Sequence, residues 1–288
     1  MQLSISSIVE VAIGLALIYY VLSLVVSYIS SQILRWTEVR AKTLEAGLAE
    51  ALKDPTMLQS IQVHPLVKLL RPKRLSFLGS GDKTLRVEKI APDTFSMVFL
   101  SVLTSGVASQ PTLEHIQQAI DKLPEGDLKQ SLTEMLNSGV ATVQEMRSRI
   151  EHWFDDVMAG VSGLYKQYAR RIVVYSALAV VLLLGVDSIQ IARFLYLEPV
   201  ARNVLVEQAN QIVDQGGVAD EEALKYLTDL RGMELPLIWA APLPASSGDW
   251  GLKILGILIT WAAISKGASF WFQNLKKLRE VTTGKGRE

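Results

Sequence analysis

Few residues of this chain could do chemistry, and most of them fall on predicted helices. The chain has 288 residues, three histidines and no cysteine, which excludes thiolate metal sites, disulfides and cysteine nucleophiles. The histidines are far apart in sequence, and His152 stands four residues before Asp156, where a surface ion pair is the ordinary role. We therefore predict no metal site, no cofactor and no catalytic residues.

Residues 79–84 resemble a phosphate-binding loop but lack its order. Such a loop needs contiguous Gly-Lys-Ser/Thr after a strand, opening a helix. Here Asp82 separates Gly81 from Lys83 and places a carboxylate where phosphate would bind. Nucleic-acid binding is also not expected, because no aromatic residues interleave with a basic stripe.

Residues 151–166 form the densest group of reactive side chains. Asp155 and Asp156 are adjacent, but neighbours on a helix point about 100° apart and do not share an acid–base site. Asp156, Gly160 and Gly163 lie roughly on one helix face, where small residues admit another helix. We interpret the run as a packing or assembly surface with these candidates: Trp153, Phe154, Asp156, Gly160, Gly163 and Tyr165.

An apolar stripe follows the same region at steps of three and four residues, the spacing of one helix face. Its members are Val143, Met146, Ile150, Trp153, Val157, Val161, Leu164 and Tyr168. The stripe leads into an uncharged run without a proline. The pattern therefore predicts one long helix from about 140 to 197.

Apolar residues are concentrated in three segments. Mean hydropathy is +0.26 and only 20% of residues are charged, which is unusual for a water-soluble chain. A bilayer core needs about 20 apolar residues in a helix. We predict transmembrane helices at residues 3–34, 172–197 and 251–273.

The basic residues beside these segments predict their orientation. They follow the first segment, precede the second and follow the third: Arg35, Arg40 and Lys42; Lys166, Arg170 and Arg171; Lys276, Lys277 and Arg279. Because basic flanks stay on the cytoplasmic side, we predict an outside N-terminus and a cytoplasmic C-terminus in the cell inner membrane. Residues 35–171 become a cytoplasmic domain, residues 198–250 an extracytoplasmic loop and residues 274–288 a cytoplasmic tail.

The predicted fold class is an all-α membrane protein, with helices in both the cytoplasmic domain and the outer loop. In the cytoplasmic domain, the first membrane helix is expected to continue to Lys53 and stop at Asp54-Pro55. Further helices are expected at 93–104, 111–122 and 125–137. We interpret the apolar helix at 93–104 as a core helix, with a membrane-interface segment as the alternative.

Polar residues inside membrane segments are costly and therefore informative. The candidates are Glu10, Asp187, Arg193 and Lys266. Small residues also recur at helical spacing on the first and third segments, namely Ser23, Ser27 and Ser31, and Gly256, Thr260, Ala263 and Gly267. These faces allow close helix contact, either within one chain or between chains.

A set of short motifs runs in order through most of the chain. They are His64-Pro65-Leu66; Trp153-Phe154-Asp155-Asp156 with Met158, Val161-Ser162-Gly163 and Tyr165-Lys166; residues 187–193; Leu235-Pro236; and residues 267–272 with Leu275 and Lys277. This set resembles a widespread family of uncharacterised bacterial integral membrane proteins. The chain departs from that pattern at Lys266 and Ser269. The resemblance implies an inner-membrane location and no particular activity.

Three functional hypotheses follow. The leading one is a non-enzymatic membrane anchor or scaffold that self-assembles or holds a partner through its cytoplasmic helical domain. The alternative is a homo-oligomeric channel or membrane-perturbing effector, with the intramembrane polar residues lining a pore. A membrane-bound hydrolase comes third, since no nucleophile can be nominated. The expected partners are the lipid bilayer and a second copy or another protein, without nucleic acid.

Overall fold

The computed structural model describes residues 5–70, 73–74, 83–84, 87, 89–105, 111–232, 239 and 246–283. The chain divides into two compact units. One, the hydrophobic unit, comprises Met1–Ile33 and Ala169–Glu288. The other, the helical domain, comprises Leu34–Tyr168.

Helices dominate both units, which confirms the predicted helical class. Among the described residues, two helices are long and apolar enough to cross a membrane, α1 (Ile5–Thr37) and α8 (Val143–Leu184). A bent pair, α12 (Ser247–Ile264) and α13 (Ala268–Thr283), raises the number to three if it is taken as one span.

Among its described residues, the helical domain has six shorter helices and a two-stranded antiparallel pair before α8. The helices are α2 (Val39–Leu52), α3 (Pro55–Val63), α4 (Pro65–Leu69), α5 (Pro92–Leu103), α6 (Leu113–Asp121) and α7 (Asp127–Asn137). The strands are β1 (Lys73–Arg74) and β2 (Lys83–Thr84). The helices expected at 93–104, 111–122 and 125–137 are present.

The core of the helical domain is built around aromatic rings from α5 and α8. Phe95 stacks on Phe154 with ring centroids 4.1 Å apart and on Phe99 at 5.6 Å. All three rings are buried, together with Met146 and Ile150 from the first half of the apolar stripe. The helix at 93–104 is therefore a core helix of this domain.

The second helix does not continue α1 as expected. Glu38 separates α1 from α2 with a left-handed backbone, φ 52° and ψ 31°. Nothing in the residue type signals this break, because a glutamate normally favours a helix.

The long helix predicted from about 140 to 197 is broken. α8 ends at Leu184, and Gly185 takes φ +62°, a conformation that glycine adopts without steric cost. A Cβ at Gly185 would also lie 2.9 Å from the ring of Trp239, whose Nε1–H donates to the Leu182 carbonyl. A new helix, α9 (Ser188–Leu197), then begins with Asp187 as its N-cap.

The segment predicted as an extracytoplasmic loop packs along α1. It contains α10 (Pro199–Asp214), a 3-10 turn at Asp220–Glu222 and α11 (Ala223–Gly232). Arg202 at the start of α10 pairs with Glu10. Beyond its end, the Val218 N–H donates to the Tyr20 hydroxyl at 2.9 Å. Helix α10 and the residues that follow it therefore lie along α1 between Glu10 and Tyr20.

The third predicted membrane segment, 251–273, is not one straight helix. α12 and α13 meet at 95°, and Gly267 at the bend has φ +91°. The turn brings Arg279 within 2.6 Å of Asp214. This ion pair disagrees with the prediction that placed residues 198–250 and 274–288 on opposite sides of a bilayer, because the two side chains touch.

Phe99→Ala should destabilise the helical domain by about 3–5 kcal/mol, because it removes a fully buried ring and leaves a cavity. Met97 on the same helix is 45% exposed, so Met97→Ala should change stability by less than about 1 kcal/mol. Hydrogen exchange of α5 in the full chain measures both. Equal protection in the two variants would contradict the assignment of α5 to the core.

Candidate functional site

The break between α8 and α9 creates a buried polar site inside the hydrophobic unit. Asp187 is 6% exposed, and its Oδ1 accepts hydrogen bonds from the N–H groups of Ile189 at 2.9 Å and Gln190 at 3.2 Å. The carboxyl group lies against Gly256 of α12, where any Cβ would overlap it. Asp187 thus caps α9, and the absence of a side chain at Gly256 gives it room.

A chain of hydroxyl groups extends this site from α1 to α12. The Tyr19 hydroxyl donates to Ser188 Oγ at 2.6 Å, and Ser188 Oγ lies 2.7 Å from Thr260 Oγ1. Thr260 Oγ1 donates to the Gly256 carbonyl at 2.8 Å. Since Thr260 has one proton, Ser188 is the donor between the two. Each of these three hydroxyl groups therefore donates its proton to an acceptor.

The small-residue faces predicted on the first and third segments meet within one chain. Ser23 Oγ donates to the Ile264 carbonyl at 3.2 Å, one turn along from the Tyr19–Ser188–Thr260 contact. Ser23 and Thr260 are both buried. At these two residues, the small-residue faces therefore pack within one chain.

The four intramembrane polar candidates do not come together. Glu10 pairs with Arg202 at 2.9 Å, and Arg202 also donates to the Leu195 carbonyl. Asp187 caps α9, while Arg193 and Lys266 are exposed. These four residues therefore form no common lining within one chain, and the homo-oligomeric channel, whose pore several copies would line, stays a prediction.

The assembly candidates on α8 separate into different environments. Phe154 is in the core, and Trp153 is partly buried against Phe95 and Phe99. Asp156, Gly160 and Gly163 are exposed, and a Cβ at either glycine would meet nothing within 4 Å. This face of α8 has no neighbour at either glycine, and its role as an assembly surface stays a prediction.

One cavity of about 400 Å³ lies beside α8 in the helical domain, and we call it the basic cavity. Its polar lining comes from Arg40, Lys89, Asp155, Ser162, Tyr165 and Lys166. Its apolar lining comes from Leu44, Ile90, Pro92, Phe154, Met158 and Val161. Cations outnumber carboxylates by three to one, so the cavity favours an anion with an apolar part.

A larger depression of about 730 Å³ lies between α2 and α8, and we call it the apolar groove. α8 contributes Val157, Gly160, Val161, Leu164 and Tyr168, which include the second half of the predicted stripe. α2 comes close here because Gly47 has no Cβ, which would overlap Val161. Leu164 and Tyr168 are 52% and 51% exposed, whereas Val157 and Val161 are partly buried, so the domain covers this half of the stripe only in part.

Metal binding receives no support within the described ranges, where no group of three or more His, Asp or Glu side chains converges. Two histidines have local roles at helix starts. His64 Nδ1 accepts from the Leu66 N–H at 3.4 Å, and His115 Nδ1 accepts from the Thr112 N–H at 3.3 Å. Residues 79–82 and Leu235-Pro236 lie outside the described residues.

Sequence reasoning missed the basic cavity. Asp155, Met158, Ser162, Tyr165 and Lys166 share one helix face at steps of three, four, three and one residues, and this spacing was available from the sequence. The contributions of Arg40 and Lys89 were not, because they come from distant parts of the chain. The run at residues 151–166 thus contributes one helix face to the basic cavity and another, open face that carries the glycines.

Comparisons with protein-family models, curated proteins and solved structures found no match to this chain. The resemblance to bacterial integral membrane proteins therefore stays a prediction based on its motifs.

Gly256→Ala should destabilise the hydrophobic unit by about 1–3 kcal/mol, because the new Cβ overlaps the Asp187 carboxyl group. Gly251 on the same helix has open space, so Gly251→Ala should be neutral or stabilising by up to about 1 kcal/mol. Thermal unfolding of the detergent-solubilised protein compares them. Combining Gly256→Ala with Asp187→Ser should recover part of the loss. Identical melting of the two alanine variants would contradict the proposed packing.

Proposed function

We propose that this chain is a non-enzymatic membrane scaffold that self-assembles by pairing the α8 helices of two copies. The observation that carries the proposal is the apolar groove, with Leu164 and Tyr168 half exposed at its edge. Burying such side chains contributes about 25 cal/mol for each Å² of apolar surface removed from water. The exposed stripe therefore favours association.

The spacing of the groove residues suits a second α8 helix. Val157, Val161, Leu164 and Tyr168 are separated by four, three and four residues, which is the spacing of a helix-pairing seam. Gly160 and Gly163 lie beside this seam with open space above them, so a second backbone can approach closely. The seam and the glycines together form the proposed assembly surface.

Membrane insertion favours a second copy as the occupant. Two copies inserted in the same direction present their α8 helices in parallel, related by a twofold axis along the membrane normal. Each copy then offers the same seam to the other, as an isologous interface requires. The basic residues that flank α1 and the apolar part of α8 support a cytoplasmic, inner-membrane setting for this domain.

A single cysteine at Leu164 should crosslink two copies in the membrane under mild oxidation. Disulfide formation needs Cβ atoms about 3.5–4.5 Å apart, which paired seam residues reach. The chain has no native cysteine, so the background is clean. Dimer bands on non-reducing gels are the measurement for Leu164→Cys.

The matched control is Ser162→Cys, which is exposed on the cavity face of the same helix and should stay monomeric. The double variant Leu164→Glu/Tyr168→Glu should reduce the detergent-corrected mass to that of a monomer. Equal crosslinking at positions 162 and 164, or a monomeric native protein, would overturn self-assembly. A monomer with a stoichiometric second protein in the groove would do the same.

A further inference from the structure

We propose that the basic cavity binds the headgroup of an anionic phospholipid, with the first acyl carbons against its apolar wall. Arg40, Lys89 and Lys166 line the cavity and are all exposed. Across the part of the chain that the structure describes, none of these three cations makes an ion pair or hydrogen bond with a protein group. They are therefore available to a phosphate diester.

Hydroxyl groups add directional contacts beside the cations. Ser162 and Tyr165 lie one turn apart on α8 and line the same cavity. Among the described contacts neither hydroxyl has a protein partner. Each can donate a hydrogen bond to a phosphate or ester oxygen. Cations with adjacent donors form a stronger anion site than charge alone.

The apolar wall makes a lipid a better ligand than a free anion. Leu44, Ile90 and Phe154 are buried beneath the cavity, and Met158 and Val161 are partly buried at its side. A site for inorganic phosphate alone gains nothing from such a surface. The volume of about 400 Å³ lies near the lower end of ligand cavities, roughly 300–1,000 Å³. It suits a headgroup and a short length of acyl chain, with the remainder outside.

The cavity is also close in sequence to both membrane segments. Arg40 follows the apolar run that ends at Leu34 by six residues, and Lys166 precedes the uncharged run that begins at Ile172 by six. Six residues of chain reach at most about 20 Å. Both cations can therefore lie within reach of the headgroup layer, where anionic lipids attract basic residues.

Asp155 narrows the choice of headgroup. Its carboxylate lines the cavity beside the three cations and would repel a second anionic group. It can accept hydrogen bonds from headgroup hydroxyls instead. The combination favours a singly charged phosphate diester with a polyol headgroup, such as phosphatidylglycerol, over a phosphate monoester lipid. Apart from Val161, which lines both, the basic cavity and the assembly surface use different residues of α8, so lipid binding does not require self-assembly.

The test uses the full chain in detergent, titrated with phosphatidylglycerol or with phosphatidylcholine of the same acyl chains and followed by native mass spectrometry. Phosphatidylglycerol should bind at least tenfold more tightly. Arg40→Gln/Lys166→Gln should weaken its binding roughly twenty-five-fold, about fivefold for each cation. The melting temperature of the variant checks that it is folded.

Two controls separate the cavity from general surface charge. Arg35→Gln removes an exposed cation that does not line the cavity, and should change binding less than twofold. Ser162→Trp keeps every cation but fills the cavity, and should abolish the preference for phosphatidylglycerol. Both variants should keep the oligomeric state of the native chain, which distinguishes this test from that of the assembly surface.

Three outcomes would overturn the proposal. One is equal binding of the two lipids. Another is an unchanged preference in Ser162→Trp, which would mean that the charge acts outside the cavity. The third is inorganic phosphate, or an acidic peptide, binding with the same variant dependence and competing fully with the lipid. That result would assign the site to a free anion or to a protein partner.

Discussion

The interruption of the helix at Gly185 imposes the constraint on which the hydrophobic unit depends. A helix that ends among apolar residues leaves backbone carbonyl groups without partners, and a helix that begins there leaves N–H groups without partners. Each such group costs several kcal/mol in lipid. Asp187 supplies an acceptor to the first turn of α9, and Gly256 leaves room for its carboxyl group. An N-cap hydrogen bond stabilises a helix by about 1 kcal/mol in water. Its loss costs more where water is absent, because no solvent then pairs with the backbone N–H groups.

The same constraint explains the hydroxyl groups around the break. Ser188, Thr260 and Tyr19 are all buried, so each must find a partner inside the protein. Their hydrogen bonds join α1, α9 and α12 at one level. A polar residue inside an apolar segment therefore serves here to fix helix packing. This use gives Asp187 and Ser188 a structural role in the hydrophobic unit.

In the helical domain, α8 presents three overlapping faces with different uses, since Phe154 and Val161 also line the basic cavity and Gly160 also lines the apolar groove. One packs Phe154 and Ile150 into the core, and continues as the seam of the apolar groove. A second lines the basic cavity, and a third carries glycines with nothing above them. The core residues hold the helix in place, which gives the other faces a defined geometry. The proposed partner and the proposed lipid therefore bind a common rigid element.

The sequence by itself determined which segments are apolar, which regions are mainly helical and where small residues recur, because these follow from local composition and helical period. It correctly indicated that 93–104 is a core helix and that 143–168 carries a continuous stripe. It did not reveal the breaks at Glu38 and Gly185 or the bend at Gly267. Those depend on contacts such as Trp239 over Gly185, which join residues far apart in sequence.

The candidate sites also combine features that sequence spacing predicts with features that only the tertiary structure decides. Spacing alone placed Asp156, Gly160 and Gly163 on one face, and the structure leaves that face open. Only the tertiary structure brought Arg40 and Lys89 to Lys166, and Asp214 to Arg279. A hydropathy pattern records how much each segment prefers lipid, but it carries no information on how the chain turns. Helix caps, glycine conformations and packing between distant segments decided those turns, and with them the cavity.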